Sequence, residues 1–235
     1  MENFEREGFA IIPDVLPLVL LSELQGAFAA PLTGGAGGIR NVLSAYPVVR
    51  RAASSDAVRA LLSAAMGGEP VAVRGILFDK TTEPGGANWK VPYHQDRSIA
   101  VRERPAGVIP GFDVWSVKEG VPHVQPPRDL LERLVTVRLH LDPCEADRGA
   151  LRVLPGTHRL GILTADEIAG CRAATPETVC AVPEGGALVF RPLLLHASSP
   201  VTRPNARRRV LHLGFAPADM ILPPGITWFE EIHCR

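Results

Sequence analysis

Glycine and proline punctuate this chain throughout: there are 22 of each in 235 residues, dispersed among apolar runs rather than gathered in one tract. Proline fixes φ and removes a backbone donor, and glycine opens the turn conformations that other residues avoid. Short apolar runs between such residues read as many short strands joined by turns, not as a helix bundle or a disordered chain. At 46% hydrophobic and 21% charged, residues 1–235 form one domain, large enough to bury a core without disulfides.

The runs themselves support this. Residues 8–12 (GFAII) read as a strand that stops at Pro13. Leu20, Leu24 and Phe28 recur every fourth residue in a helix over 16–30, and a second helix runs from about Asp56 to Met66, with Ser55 or Asp56 as cap and Gly67-Gly68 as stop. Between them Gly34 to Gly38 is a flexible loop. Residues 71–80 and 91–101 read as extended, with 81–87 a loop. The stretch 105–127 holds five prolines and no period, so it is expected to be a long irregular excursion covering a site. In 134–142, Val135, Val137, Leu139 and Leu141 fall on one face, and Thr136, Arg138 and His140 on the other. Short strands follow at 150–154, 178–182, 186–190, 193–197 and 207–215, interrupted by a helix near 165–172. Helices first and strands later make an all-β core with helices packed on one sheet.

Charge excludes some functions. Lys plus Arg equals Asp plus Glu at 25 each, so no basic excess draws the chain to nucleic acid or anionic lipid. The first residues are broken by charge, unlike a signal peptide, and no apolar run approaches the ~20 residues of a membrane span. Cys144, Cys171, Cys180 and Cys234 contain no C-x-x-C pair, so they read as reduced thiols of a cytoplasmic protein.

The chemistry concentrates at His94-Gln95-Asp96. Residues i and i+2 of a strand point the same way, so the imidazole and the carboxylate converge. A second His from a distant strand completes a two-His, one-carboxylate facial triad, the donor set of non-haem iron(II) oxygenases. His196, at the end of the apolar run LLLHASSP, is the best candidate. Beyond it lies RRRVLHLGF, and a 2-oxoacid on the metal needs a cation for its far carboxylate, a role that suits the guanidinium fork. Leu211, Leu213 and Phe215 form an apolar stripe, which leaves Arg208, Val210, His212 and Gly214 facing inward and favours Arg208. A bulge at Pro204–Asn205 would shift the register, so Arg207 stays as the alternative. His158 reads as a turn residue and His233 as an inert terminal one. Arg138 and His140 are pocket groups or a satisfied polar pair, and Trp89, Trp115 and His123 are possible substrate contacts.

Four stretches in order carry a resemblance: FEREGFAIIPDVL, YHQD, GALRVLPGTHRLG over 149–161, and HASSP followed by RRRVLHLGFAP. Together they resemble the phytanoyl-CoA dioxygenase family of Fe(II)/2-oxoglutarate oxygenases. The resemblance implies a mainly β double-stranded β-helix, a cupin-like jelly roll. It implies Fe(II) held by His94, Asp96 and His196, and 2-oxoglutarate held by Arg208 with help from Ser198. It also implies a small-molecule substrate and O2, with hydroxylation of an unactivated C–H bond. Halogenating relatives carry a small residue where this chain has Asp96, which favours a hydroxylase. Two other readings remain: a different metal-dependent cupin-type enzyme, and a non-catalytic small-molecule-binding barrel.

Overall fold

The computed structural model describes residues 3–32 and 37–234. Its strands in chain order are β1 (Phe9–Ile12), β2 (Gly38–Arg40), β3 (Pro70–Thr81), β4 (Val91–His94), β5 (Ile99–Ala100), β6 (Asp113–Lys118) and β7 (Val121–Gln125), then β8 (Val135–His140), β9 (Leu151–Val153), β10 (Thr178–Cys180), β11 (Ala187–Phe190), β12 (His196–Ser198), β13 (Arg207–Pro217) and β14 (Ile232–His233). The major sheet runs β1-β11-β8-β13-β3-β14, with β2 also on β3; the minor sheet runs β10-β9-β12-β4. Every pairing is antiparallel. This is the expected double-stranded β-helix with helices on one sheet.

The alternation read in the sequence decides which face of the major sheet is which. Val135, Val137 and Leu139 of β8, Leu141 just past it, and Leu211, Leu213 and Phe215 of β13 pack into one core with the helices Leu18–Ala27, Pro47–Ala53 and Asp56–Met66. The last of these buries Val58, Leu61, Leu62 and Ala65, an i, i+3, i+4, i+7 stripe, and ends at Gly67. Ser55 precedes it, but its hydroxyl donates back to Ala52 O rather than capping the helix. The helix expected over 16–30 is shorter at both ends, and that expected near 165–172 is Ala165–Ala174, closed by a Thr164–Glu167 capping box. Of the expected Gly34–Gly38 loop, residues 34–36 lie outside the described residues, and Gly38 opens β2.

The opposite face of the major sheet turns Arg208, His212 and Gly214 of β13 inward, beside Lys80, Ile76 and Arg74 of β3 in register. Between Gly214 and Phe215 the β3 partner jumps from Arg74 to Ala72, leaving Val73 as a bulge.

Two expectations need correction. Residues 91–101 are not one strand: β4 ends at His94 and pairing resumes only at Ile99. Residues 105–127 are irregular only up to Phe112. Asp113–Gln125 form the hairpin β6–β7, which with β5 makes a third, three-stranded sheet. Its two-residue turn, Glu119 at φ 49 and Gly120 at φ 80, has the left-handed pair that tight hairpins need. Glu at the first turn position, where Asn or Asp is usual, hid the signal.

Candidate metal centre and adjoining pocket

His94 closes β4, His196 opens β12, and the two residues face each other directly across the minor sheet, with ring centroids 4.2 Å apart. Each imidazole is oriented the same way. The Nδ1 of His94 lies 2.9 Å from Pro92 O, and that of His196 lies 2.8 Å from Leu194 O, in each case the carbonyl two residues back. A carbonyl needs a proton there, so Nδ1 carries it and the Nε2 lone pair is left free, the tautomer a metal-ligating imidazole adopts. Asp96 sits just past the strand end, where its N–H donates to Pro192 O at 2.9 Å. Its Oδ1 lies 3.9 Å from His94 Nε2 and its Oδ2 3.8 Å from His196 Nε2. These are too long for hydrogen bonds, yet the three donor atoms lie within 4.8 Å of one another.

The residues fit a divalent metal on two further counts. Asp96 Oδ2 is buried without any hydrogen-bond partner, which an ionised carboxylate tolerates only beside a cation. Burial by itself would raise the Asp96 pKa, but His196, His212, Arg74 and His94 around it reverse the sign and hold it well below the usual carboxylate range. Burial, partly offset by Asp96, pushes His196 down to about 4, so this imidazole is neutral and ready to ligate at neutral pH.

Two positioning residues had no role assigned from the sequence. Gln95, between the two motif residues, is buried, and its amide is fully used: Nε2 donates to Gly161 O (2.7 Å) and Leu193 O (2.8 Å), and Oε1 accepts from Leu163 N (2.9 Å). It ties the end of β4 to the turn after the PGTH motif and to the run leading into β12. His212 brings Nε2 to 3.7 Å from Asp96 Oδ2, while Arg138 Nη1 faces its Nδ1 at 3.5 Å. A guanidinium on Nδ1 leaves the proton on Nε2, the tautomer opposite to that of His94 and His196. His212 therefore points a donor, not a lone pair, at the Asp96 carboxylate.

A cavity of about 70 Å³ adjoins the triad, and three cations line it: Lys80, Arg138 and Arg208. The only acid among its lining residues is Asp96. Arg208 is 1% exposed; Nη1 donates to Gly149 O at 3.0 Å and Nε has no partner. Gly149 sits at φ 71, and a side chain there would strike Ser199 O at 2.5 Å, so glycine is needed to bring its carbonyl under the arginine. Lys80 Nζ donates to Ser198 Oγ at 2.9 Å and to Ser199 O at 3.0 Å, and lies over the Trp89 ring. Burial, then Arg208 and Arg138, push Lys80 down to about 7; burial and Arg208 push Arg138 down to about 10. Burial is the larger cause of both shifts, and the neighbouring cations add to it.

The neighbours of Arg208 face the other way. Arg207 grips Asp79 with two nitrogens (2.9 and 2.7 Å), and Arg209 grips Asp142 likewise (2.9 and 2.6 Å). Of the remaining residues named from the sequence, Trp89 lines the cavity. Trp115 packs partly buried against a second core cluster, and His123 is buried in β7 with Nδ1 on Val121 O. His158 is a turn residue bonded to Glu5 O, His140 is buried with neither ring nitrogen hydrogen-bonded and does not line the cavity, and His233 is exposed beside Glu231. Cys144, Cys171, Cys180 and Cys234 are free thiols. No helix among the described residues is long and apolar enough to cross a membrane.

Comparison with solved structures finds this fold in other proteins. The epimerase SnoN from nogalamycin biosynthesis, described as non-heme and alpha-ketoglutarate dependent, is 15% identical, with a TM-score of 0.67 over 99% of this chain and 92% of that one. EctD from S. alaskensis is 16% identical with a TM-score of 0.70, over 94% and 77% of the two chains. HygX from Streptomyces hygroscopicus, solved with nickel and 2-oxoglutarate bound, is 17% identical with a TM-score of 0.65, over 93% and 86%. No curated protein matches by sequence. The sequence pattern of phytanoyl-CoA dioxygenase (PhyH) matches residues 4–210, nearly the whole of the sheet framework and all of the residues just described around the triad except His212. On that match the chain belongs to the phytanoyl-CoA dioxygenase family.

Proposed function

We propose that the protein is an Fe(II)- and 2-oxoglutarate-dependent dioxygenase that hydroxylates an unactivated C–H bond of a small-molecule metabolite. In this reading His94, Asp96 and His196 hold the metal, and Arg208 and Ser198 hold the far carboxylate of 2-oxoglutarate, with Lys80 beside them. Family membership makes it a 2-oxoglutarate-dependent oxygenase, and SnoN and HygX, with the same fold, have been solved with iron or nickel and the oxoacid. The observation that carries the residue assignment is the pairing within one cavity of a partnerless Asp96 oxygen and three unanswered cations.

Iron with 2-oxoglutarate supplies the oxidising chemistry, in which oxygen is consumed and the oxoacid leaves as succinate and carbon dioxide. The chain's own residues do the rest. The imidazoles of His94 and His196 and the carboxylate of Asp96 would hold the metal and leave the rest of its coordination to the oxoacid and O2. Arg208, held at Nη1 by Gly149 O, keeps Nε and its remaining N–H groups for an anion. Gln95 and His212 keep the ligands in place, and the half-buried walls Phe78 and Trp89 limit the access of water.

Anaerobic titration with Fe(II) and 2-oxoglutarate tests this. Wild type should develop the weak visible absorption of an iron-bound oxoacid, and His196→Ala should not. Arg208→Ala should bind the oxoacid on the order of 100-fold more weakly, as expected for a lost bidentate charged pair of about 3 kcal/mol. A folded wild type without that absorption refutes the assignment. Hydroxylation is then read from substrate-stimulated succinate release and the gain of one oxygen atom in the product.

A further inference from the structure

The cations of the oxoacid pocket are not the only ones aimed at the triad. On the other side of Asp96 a small recess of about 30 Å³ is lined by Arg74, Ser98, His212 and Gly214. Arg74 does not line the cavity of Lys80 and Arg208; the recess and that cavity share only Asp96 and His212. An oxoacid seated on Lys80 and Arg208 therefore leaves Arg74 unanswered.

Arg74 has almost nothing to do as a structural residue. Of its five N–H donors, one reaches Ser98 O at 3.4 Å, and Nε is buried without a partner. Asp96 is its nearest acid in effect, but that carboxylate is assigned to the metal. Glu230, the next, is committed to the N–H groups of Ser44 (2.7 Å) and Gly75 (2.9 Å). The fold also makes room for it. Arg74 has the inward parity of Ile76 and Lys80, and its cross-strand partner is Gly214, where even a Cβ would come within 3.2 Å of the Arg74 Cβ.

Further positive charge gathers toward the mouth. Arg40 of β2 pairs with Ile76, on the same face as Arg74, and lines a hollow of about 610 Å³ that shares Phe78 and Trp89 with the triad cavity. The hairpin tip adds Lys118, whose Nζ reaches Ser98 Oγ at 3.2 Å, and Glu119, which pairs with Arg40 at 3.2 Å. With Asp96 given to the metal, one acid faces three cations.

We propose that the substrate carries a carboxylate, that Arg74 receives it in the recess beside Asp96, and that Lys118 and Arg40 draw it in from the hollow. This rests on the oxygenase reading, in which Asp96 belongs to the metal and Lys80 and Arg208 to the oxoacid. Arg74 thereby sets which end of the substrate points away from the reacting carbon.

The test uses the full chain loaded with Ni(II). The affinity for 2-oxoglutarate is measured first by calorimetry; a wild type that takes none refutes the oxygenase reading by itself, and the second step is then run without the oxoacid. In the second step the probes are hexanoate, octanoate, cyclohexanecarboxylate and 3-phenylpropanoate, each beside its primary amide, followed by thermal shift and calorimetry. At least one acid should bind about 30-fold more tightly than its amide, the scale of one lost charged hydrogen-bond pair. Arg74→Met should remove that preference without changing 2-oxoglutarate affinity more than about twofold, and Arg74→Lys should restore part of it. Lys118→Met, a milder change at the hairpin tip, should weaken the acid by about three- to tenfold through lost steering and pairing. Acids and amides binding alike, no acid binding at all, or an acid preference that survives both Met variants would each overturn the proposal.

Discussion

Lys80 is the residue whose charge is most finely balanced. Its ammonium is buried between Arg208 and Arg138, and burial and these two cations push it down to about 7, so near neutrality the empty pocket holds it only half protonated. A carboxylate arriving beside it favours the charged form and raises that pKa. Binding of 2-oxoglutarate therefore takes up a proton above pH 7, and affinity is fullest below pH 7 and falls as the pH rises. With Ni(II) saturating, the dissociation constant should rise by about 30-fold from pH 6 to pH 8.5. Lys80→Met should bind more weakly at pH 6 and show a nearly flat profile; a wild-type profile as flat as that of Lys80→Met would remove Lys80 from the anion site. The sequence was informative about this site unevenly. H-x-D marked itself, and strand parity separated Arg208 from Arg207. Lys80 and Arg74 gave no local sign, because a lysine or arginine in a strand reads as a solvent-facing residue until its neighbours on another strand are known. His212 was placed inward, but its role depends on Arg138 across the sheet.

Strand β13 shows how three consecutive arginines can divide their work. Arg208 faces the cavity, while Arg207 and Arg209 face the helical layer and hold β13 to the end of the helix Leu18–Ala27. Arg207 donates to the carbonyls of Phe28, Ala29 and Ala30, and Arg209 to those of Gln25 and Phe28, the groups a helix end leaves open. The Asp79 carboxylate on the neighbouring strand is 1% exposed and depends on Arg207. Arg207→Ala should therefore cost about 3–5 kcal/mol, the usual penalty for stranding one charge of a buried pair, and should be read as a lower midpoint in urea. Its affinity for 2-oxoglutarate should stay near wild type, the opposite pattern to Arg208→Ala. Equal loss of oxoacid binding in both variants would return Arg207 to the pocket. At this scale the long strands and the amphipathic helices were legible, because burial on one face imposes a period. The hairpin at 113–125 was not: Pro122 interrupts its second strand, Asp113 and Ser116 flank a bulge in the first, and its faces do not alternate cleanly.

The two sheets contribute differently to the whole. The major sheet carries the large core beneath the helices, and its central strands β13 and β3 pair over eleven residues. The minor sheet is four strands of three or four residues, packed on small satellite clusters. Both imidazoles of the triad stand on the minor sheet, at the strand ends where β4 and β12 meet, and Lys80 and Arg208 stand on the major one. Metal binding should thus act mainly as a fastener for the weaker sheet, and the oxoacid as a bridge between the two. A ligand present at 100 times its dissociation constant stabilises the native state by about 2.7 kcal/mol, which for a chain of this size raises Tm by roughly 5–10 °C. Ni(II) should give a rise of that order in wild type and none in His196→Ala. Hydrogen exchange should locate the effect. Regions with few buried contacts open at lower free energy than the core. Ni(II) alone should slow exchange of the amides of β4, β9 and β12 severalfold while leaving β13 and β3 nearly unchanged. Adding 2-oxoglutarate should then slow exchange at the start of β13 and the end of β3, around Arg208 and Lys80. Uniform protection of both sheets by the metal alone would mean that the chain opens as one cooperative unit, and that the minor sheet is not its weaker part.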